Sequence, residues 1–456
     1  MSTTIRNPQS PLRNPQSAIR NPHSPIRNPF SQAAFDAFLA DRREPGWLTD
    51  IRNDAWKKFN ELPMPSRQDE EWFRTDVRLL RLDRFGLPVA AEYEQLPSGA
   101  LCPGVDLGGS IATLNSQTVT ADLQSQWADQ GVLFGPLDEL VVAHPDLVRP
   151  HLLCRAVEPH YDKFAALHAA CWTGGALLYV PKGVTLEQPL HMLSLLSDGG
   201  VDLSHTLVIL EEGAQATLLA ESMSLDAEGQ GFHCGAVELL LAPESNLRYV
   251  NLQDWGQGVW HFSHQKALVD RDANIQWTIG ALGARLAKVN QHVALVGEGA
   301  NAQVNGVMFS EGRQHLCYHT LQHHEAPSCT SDLLYKGGLQ DNSRIVWRGM
   351  IKVDPDAQKT NGYQRNDSLI LNPKARADSI PGLEIEADDV RCTHGATTGR
   401  VDDEQLFYCQ TRGLTRKEAV RTIVAGFFQQ VIDRITIDSV RDALSNAVAH
   451  RVREYE

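Results

Sequence analysis

The sequence predicts a mainly β protein, a solenoid of stacked coils between helical flanks. Three observations carry that prediction. From about residue 174 to 400 the chain is built of short β-branched and apolar runs, such as "HTLVIL", "VELLLA", "LRYVNL" and "RIVWRGMIKV", bounded by Gly, Pro, Asp or Asn. A turn signature precedes many of them, and its small residue falls at Ala214, Ser245, Ala273, Ala300 and Ser343, spacings of 31, 28, 27 and 43. Coils of about 30 residues that cannot bury their own faces must stack on one another. Helix signals, finally, are confined to the two ends. A β-sandwich also shows many short strands; the near-regular turns favour the solenoid.

The elements follow in order. Residues 1–31 repeat with period seven, "IRNPQSP", "LRNPQSA", "IRNPHSP", "IRNPFSQ". A proline in every repeat forbids a continuous helix. The segment lacks acidic residues, as transit peptides do, but cannot form their apolar helical face, so it reads as a disordered extension. Residues 32–170 make a helical and mixed region. Ser31 is placed to cap a helix with Phe35, Phe38 and Leu39 on one face, and a second helix carries Ile51, Trp56 and Phe59 up to "LPMP". A third is expected after Ser66 in "SRQDEEWFRTDVRLL", whose acidic first turn suits the helix dipole. Short helices mix with other structure between 100 and 170.

The β core spans 171–400, and 401–456 return to helix. There "DDEQLFYCQTRG" ends at Gly413, a good residue just past a helix end, and Thr415 with Glu418 forms a capping box. The helix it opens carries an apolar stripe of Val420, Ile423, Val424, Phe427, Phe428, Val431 and Ile432. That stripe either packs against the solenoid end or docks a partner.

Composition narrows the function. A formal charge of -14 argues against nucleic acid or an anionic membrane surface as partner. No apolar run reaches the roughly 20 residues that span a bilayer. The 8 cysteines include no CxxC pair, which excludes zinc-ribbon and ferredoxin spacings. A reducing, cytoplasmic setting is the default. No GxxxxGK[ST], helix-opening GxGxxG or GxSxG occurs, so nucleotide and esterase chemistry lack their motifs.

Two constellations offer metal-type donors. In "HLCYHTLQHH", residues 315–324, a strand would place His315, Cys317, His319 and His323 on one face and Leu316 and Tyr318 on the other. Such donors span at least about 20 Å, too far to close on one ion with bonds of about 2.0 to 2.3 Å. The preferred reading is polar residues facing solvent, a partner or an adjoining coil. In "ADDVRCTHGATTG", residues 387–399, Cys392 and His394 share a strand face. They are either a strand end with a buried thiol or a thiol and imidazole offered to soft iron.

At "PGLEIEADDVRCTHGATTGRVDDEQLFYCQTRG", residues 381–413, the chain resembles the SufB/SufD family, scaffold subunits of the SUF iron–sulfur cluster assembly machinery. Similar blocks are "LPMPSRQDEEWFRTD", "VPKGVTLEQPL" and "HHEAPSCTSDLLYKGGLQDNSRIVWRGMIKVDPDAQKTNGYQRNDSLIL". Together they cover most of 32–440. The form "CTHGATTG", where SufB reads closer to "EHEATTS", points to the SufD branch. The Asn-Pro repeat departs from the family pattern, and Cys409 is not promoted to a ligand.

The resemblance implies a right-handed parallel β-helix core and a non-catalytic scaffold. It implies a SufB-like partner and a SufC-like ABC ATPase docked on the C-terminal helices, with ATP handled only by that ATPase. A cysteine desulfurase and its sulfur-transfer protein would supply sulfur indirectly. A transient Fe–S cluster would be shared with SufB at His394, with Cys392 as the motif's cysteine, and reduced FAD on the complex is a further expected cofactor. Two rivals stand beside it. A β-solenoid metal-binding protein would hold zinc at 315–324. A carbohydrate-active β-helix enzyme would line a groove with carboxylates.

Overall fold

The computed structural model describes residues 29–91, 93 and 95–452, so the Asn-Pro repeat up to residue 28 lies outside the described residues. Two sheets face each other. From Gln215–Ser224 onward each strand is followed by one in the opposite sheet, and each pairs in parallel with the strand two places on. This is a β-solenoid of about 8 turns with helices at both ends. At its start the hairpin Gly109–Leu114/Gln117–Leu123 and the strand Leu133–Pro136 add the antiparallel edges, each pairing antiparallel with its neighbour. The stretch 100–170, read as mixed, holds these strands along with four helices, of which Lys163–Cys171 is the longest.

One corner explains the spacing in the sequence. Ala214, Ser245, Ala273, Ala300, Cys329 and Thr360 are stacked in successive coils, each at most 2% exposed. The residue before each, from Gly213 through Glu244, Asp272, Gly299 and Ser328 to Lys359, has a left-handed φ between 56° and 76°. The next N–H then bonds the small residue one coil back: Asn246 to Ala214 O at 2.8 Å, Asn274 to Ser245 O at 2.9 Å, Asn361 to Cys329 O at 3.0 Å. A bulky corner residue would push this ladder apart. The interval of 43 therefore passes over one corner and ends on the opposite side. Ser343 belongs to the other sheet's corner, before Arg344–Val353, and the true successor of Ala300 is Cys329.

Between the sheets lies an apolar core that includes Tyr249, Trp277, Val304, Leu333 and Trp347. The outer faces are covered separately, because each parallel strand is apolar on both sides. Of the N-terminal helices, Gln32–Ala40 begins at the expected cap, with Ser31 accepting from Ala34 N, and Gly46–Glu61 stops at "LPMP" as expected. They build a second core with Lys163–Cys171 over one sheet, where Phe164 stacks on Phe262 at 3.7 Å. The C-terminal helices Arg416–Ile432 and Asp438–Arg451 cover the other sheet. The Thr415–Glu418 capping box is formed. Val420, Val424, Phe428 and Val431 of the stripe are buried beside Leu252, Val307 and Leu334, on the solenoid's flank rather than its end. No helix among the described residues is long and apolar enough to cross a membrane.

One expected element is absent. The helix anticipated after Ser66 is only the 3₁₀ turn Glu70–Trp72. Its acidic residues serve long-range partners instead of a helix dipole: Glu71 meets His319 at 2.7 Å and Arg348 at 2.8 Å, and Glu70 meets Arg348 at 2.6 Å. With Trp72 buried as well, an extended course across the sheet outweighs local helix propensity.

Candidate functional site at the open end of the solenoid

The last coil, Arg376–Ile385 and Arg391–Arg400, has nothing stacked on it among the described residues and is largely exposed. Register places its side chains. Along the inner face of one sheet a lane runs Trp277, Val304, Leu333, Gln364, His394. The neighbouring lane runs Ile275, Ala302, Ser331, Gly362, Cys392. Both lanes turn from apolar to polar as they approach the open end.

Cys392 and His394 thus stand side by side where a further coil would lie, about 7 Å apart along the strand. Cys392 is half-buried beside Ile351, Val353 and Ala387, and this burial pushes its thiol up from the ordinary value. Gly362 beneath it fits because a Cβ there would come within 3.2 Å of the thiol sulfur. His394 is exposed. Under it, Gln364 donates to Gly382 O at 3.0 Å, while its Oε1 is buried without a partner among the described residues. One thiol and one imidazole on an open ledge are fewer than the about four ligands that an iron–sulfur cluster takes.

The strand His315–His324 has the expected alternation, with Leu316 and Tyr318 in the core. Its donors are tied off one by one. His315 Nε2 lies 3.2 Å from Thr75 Oγ1, His319 meets Glu71, and His323 meets Asp354 at 2.9 Å. His324 points inward to Ser331 Oγ at 2.8 Å. Cys317 is fully buried, which pushes its thiol up. The charges of His319 and Lys288, with hydrogen bonds from both neighbouring histidines, nonetheless bring it well below the usual range.

Glu71 is held at about 2, chiefly by its hydrogen bond to His319. Burial lowers His319, yet Cys317 and Glu71 raise it overall. The carboxylate's contribution is therefore present above about pH 4.5 and lost as pH falls toward 2, while the imidazolium's is present below about pH 6.5 and lost above it. In thermal melts, Glu71→Gln is expected to fall furthest below the parent between about pH 4.5 and 6.5. A gap that stays constant from acid to alkali would refute this clamp.

A third cluster was not foreseen. Cys102, His191 and Glu221 bring one donor atom each within 4.8 Å. Glu221 accepts from Ala100 N at 2.6 Å, Leu101 N at 2.8 Å and His191 at 2.8 Å, so hydrogen bonding already accounts for its place as a clamp on the loop before the first hairpin. No local motif could have revealed it, since its members come from a loop and two different coils.

These features define a class, a helix-flanked parallel β-solenoid with a thiol–imidazole pair at its open end. Residues 194–427 match the model described as SUF system FeS cluster assembly, SufBD core domain, and residues 36–192 match the SufBD protein N-terminal region. The chain belongs to the SufBD family of iron–sulfur cluster assembly proteins. It is 26% identical over 412 residues to the iron–sulfur cluster assembly SufBD family protein of Staphylococcus epidermidis, covering 85% of this chain and 86% of that one. The proteins of the same description in Staphylococcus saprophyticus and Staphylococcus aureus align with the same identity and coverage.

Proposed function

We propose that this chain is a non-catalytic scaffold of the SufD type, whose open solenoid end abuts a SufB-like subunit and presents His394, with Cys392 beside it, to a nascent Fe–S cluster. The observation that carries this reading is the unstacked last coil. Its inner lanes end in a thiol and an imidazole, and on the coil's other strand Leu383 and Ile385 stand 38% and 39% exposed. Solenoid ends that lack a polar cap normally need a neighbour. The cluster is cargo here. Two donors from this chain would hold it weakly until the partner's thiolates complete the site, and the same weakness would release it.

A SufC-like ATPase would dock on the C-terminal helices, and ATP turnover would belong to it. The burial pattern favours the exposed part of these helices. The stripe of Arg416–Ile432 is consumed by the solenoid flank, whereas Phe407 and Tyr408 on Asp403–Thr411 are 69% and 60% exposed. Phe407→Ala with Tyr408→Ala is expected to weaken capture of the ATPase about tenfold or more while leaving the melting temperature within about 2 °C, as for aromatic anchors lost from an interface. Undiminished capture would move the docking surface elsewhere. Purification from native extract tests the whole reading. It predicts a stoichiometric complex with a P-loop ATPase and a second solenoid subunit, and a chain that purifies alone with resident zinc would favour the metal-binding rival.

A further inference from the structure

A broad concave surface lies on the flank of the solenoid. It is a groove of about 900 Å³ between the segment 67–79 and one edge of the sheet it crosses. His315, Arg344 and Arg376 occupy the same register position in three successive coils and form its floor. Arg285 and Arg313, both exposed at the corners of neighbouring coils, form one wall, and Arg67 and Arg74 come from the crossing segment.

Charge is concentrated here against the trend of a chain with net charge -14. Six guanidinium groups line the groove, where the acidic side chains are Asp76 and Glu228. Asp76 is already bound by Arg78 at 2.6 Å. Behind the lining, Asp378 is shared by Arg344 at 2.6 Å, Arg376 at 2.9 Å and Arg74 at 3.7 Å, one carboxylate among three cations. Arg285 and Arg313 make no ion pair among the described residues. The Arg285 guanidinium lies over the Trp260 ring, 5.0 Å from its centroid, in a cation–π contact.

Like charges gathered without counter-ions repel, and a folded protein has no reason of stability to assemble them. Guanidinium forks match phosphate oxygens in pairs, and a concave site of this size accommodates a compact ligand. We infer that this groove is a binding site for a small multi-phosphate anion, held chiefly by Arg285 and Arg313 over the floor of His315, Arg344 and Arg376. The inference is independent of the scaffold reading, because the groove meets the last coil only at Arg376 and includes neither Cys392 nor His394.

The experiment is calorimetric titration of the purified full chain with inorganic tripolyphosphate, first at low salt and then at about 0.15 M, where exposed charges further apart than about 8 Å are screened. One saturable site per chain is expected at both. Arg285→Gln with Arg313→Gln should weaken it about tenfold or more. Arg421→Gln, on the exposed face of Arg416–Ile432 across the other sheet, should leave it unchanged. Arg67→Gln supplies a separate variant at a site with no buried contact, and thermal melts confirm that each protein is folded. Absence of a saturable site, or equal loss in the Arg421 variant, would overturn the inference. So would hexaglutamate peptide binding as tightly as tripolyphosphate, which would assign the groove to an acidic protein segment.

Discussion

His394→Ala is expected to fold as the parent does and to lose cluster assembly in cells down to the level of a strain without this chain. The imidazole is exposed and makes no hydrogen bond among the described residues, so its removal should change stability by no more than about 0.5 kcal/mol. Its chemical loss is larger. Under the proposed function the site has only two donors from this chain, and removing one would leave the partner's thiolates to hold the cluster from a single side. Cys392→Ser should cost less. Burial raises that thiol, and a thiol must lose its proton before it can bind a metal. The check is complementation of a deletion strain, read by the activity of a resident Fe–S enzyme alongside the amount of intact complex. Full complementation by His394→Ala would remove this residue from assembly.

The largest effect on stability is expected at Glu238, far from the open end. It is fully buried and accepts from Leu153 N at 2.8 Å, Val157 N at 3.0 Å and His205 Nε2 at 3.0 Å. The row continues from His205 Nδ1 to His168 Nε2 at 3.0 Å, and from His168 Nδ1 to Cys234 O at 2.9 Å. This chain of contacts fastens the connection 149–162 and the helix Lys163–Cys171 to the solenoid. Glu238→Ala strips two backbone N–H groups and an imidazole of their acceptor inside the core, a loss of about 3 to 5 kcal/mol. Glu238→Gln keeps the shape and one acceptor oxygen and should lose clearly less. Urea unfolding followed by tryptophan fluorescence measures both. Equal midpoints for Glu238→Ala and the parent would show that the row is not what fastens the flank.

The fold was legible because a solenoid writes one local requirement many times. A left-handed residue followed by a small buried one recurs at each corner, and four of the six corners on one side were recovered from alanine and serine alone. Cys329 and Thr360 escaped because a thiol and a hydroxyl fill the same small space without looking alike in sequence. Ser343 intruded because the opposite corner uses a similar turn. The helix expected after Ser66 failed for a different reason. Its acids are committed to His319 and Arg348, more than 200 residues away, and Trp72 to the flank core, and no local pattern displays these partners.

The site divides in the same way. Strand periodicity alone put Cys392 and His394 on one face, and it showed that 315–324 is too extended to chelate one ion. That Cys392 and His394 crown the inner lanes of an unstacked coil is a matter of register between coils 30 residues apart. The Glu221 clamp, the Glu238 row and the arginine groove are likewise products of stacking. Each assembles residues from several coils, and none has a motif.

The central claim is that His394 itself touches the cluster at the open end. Pulsed electron paramagnetic resonance of the reduced cluster, on complex in which this chain alone carries ¹⁵N-histidine, measures this directly. The prediction is a strong hyperfine coupling from a directly bound nitrogen, lost in His394→Ala. A cluster that forms without that coupling, or a coupling that survives the substitution, would contradict it.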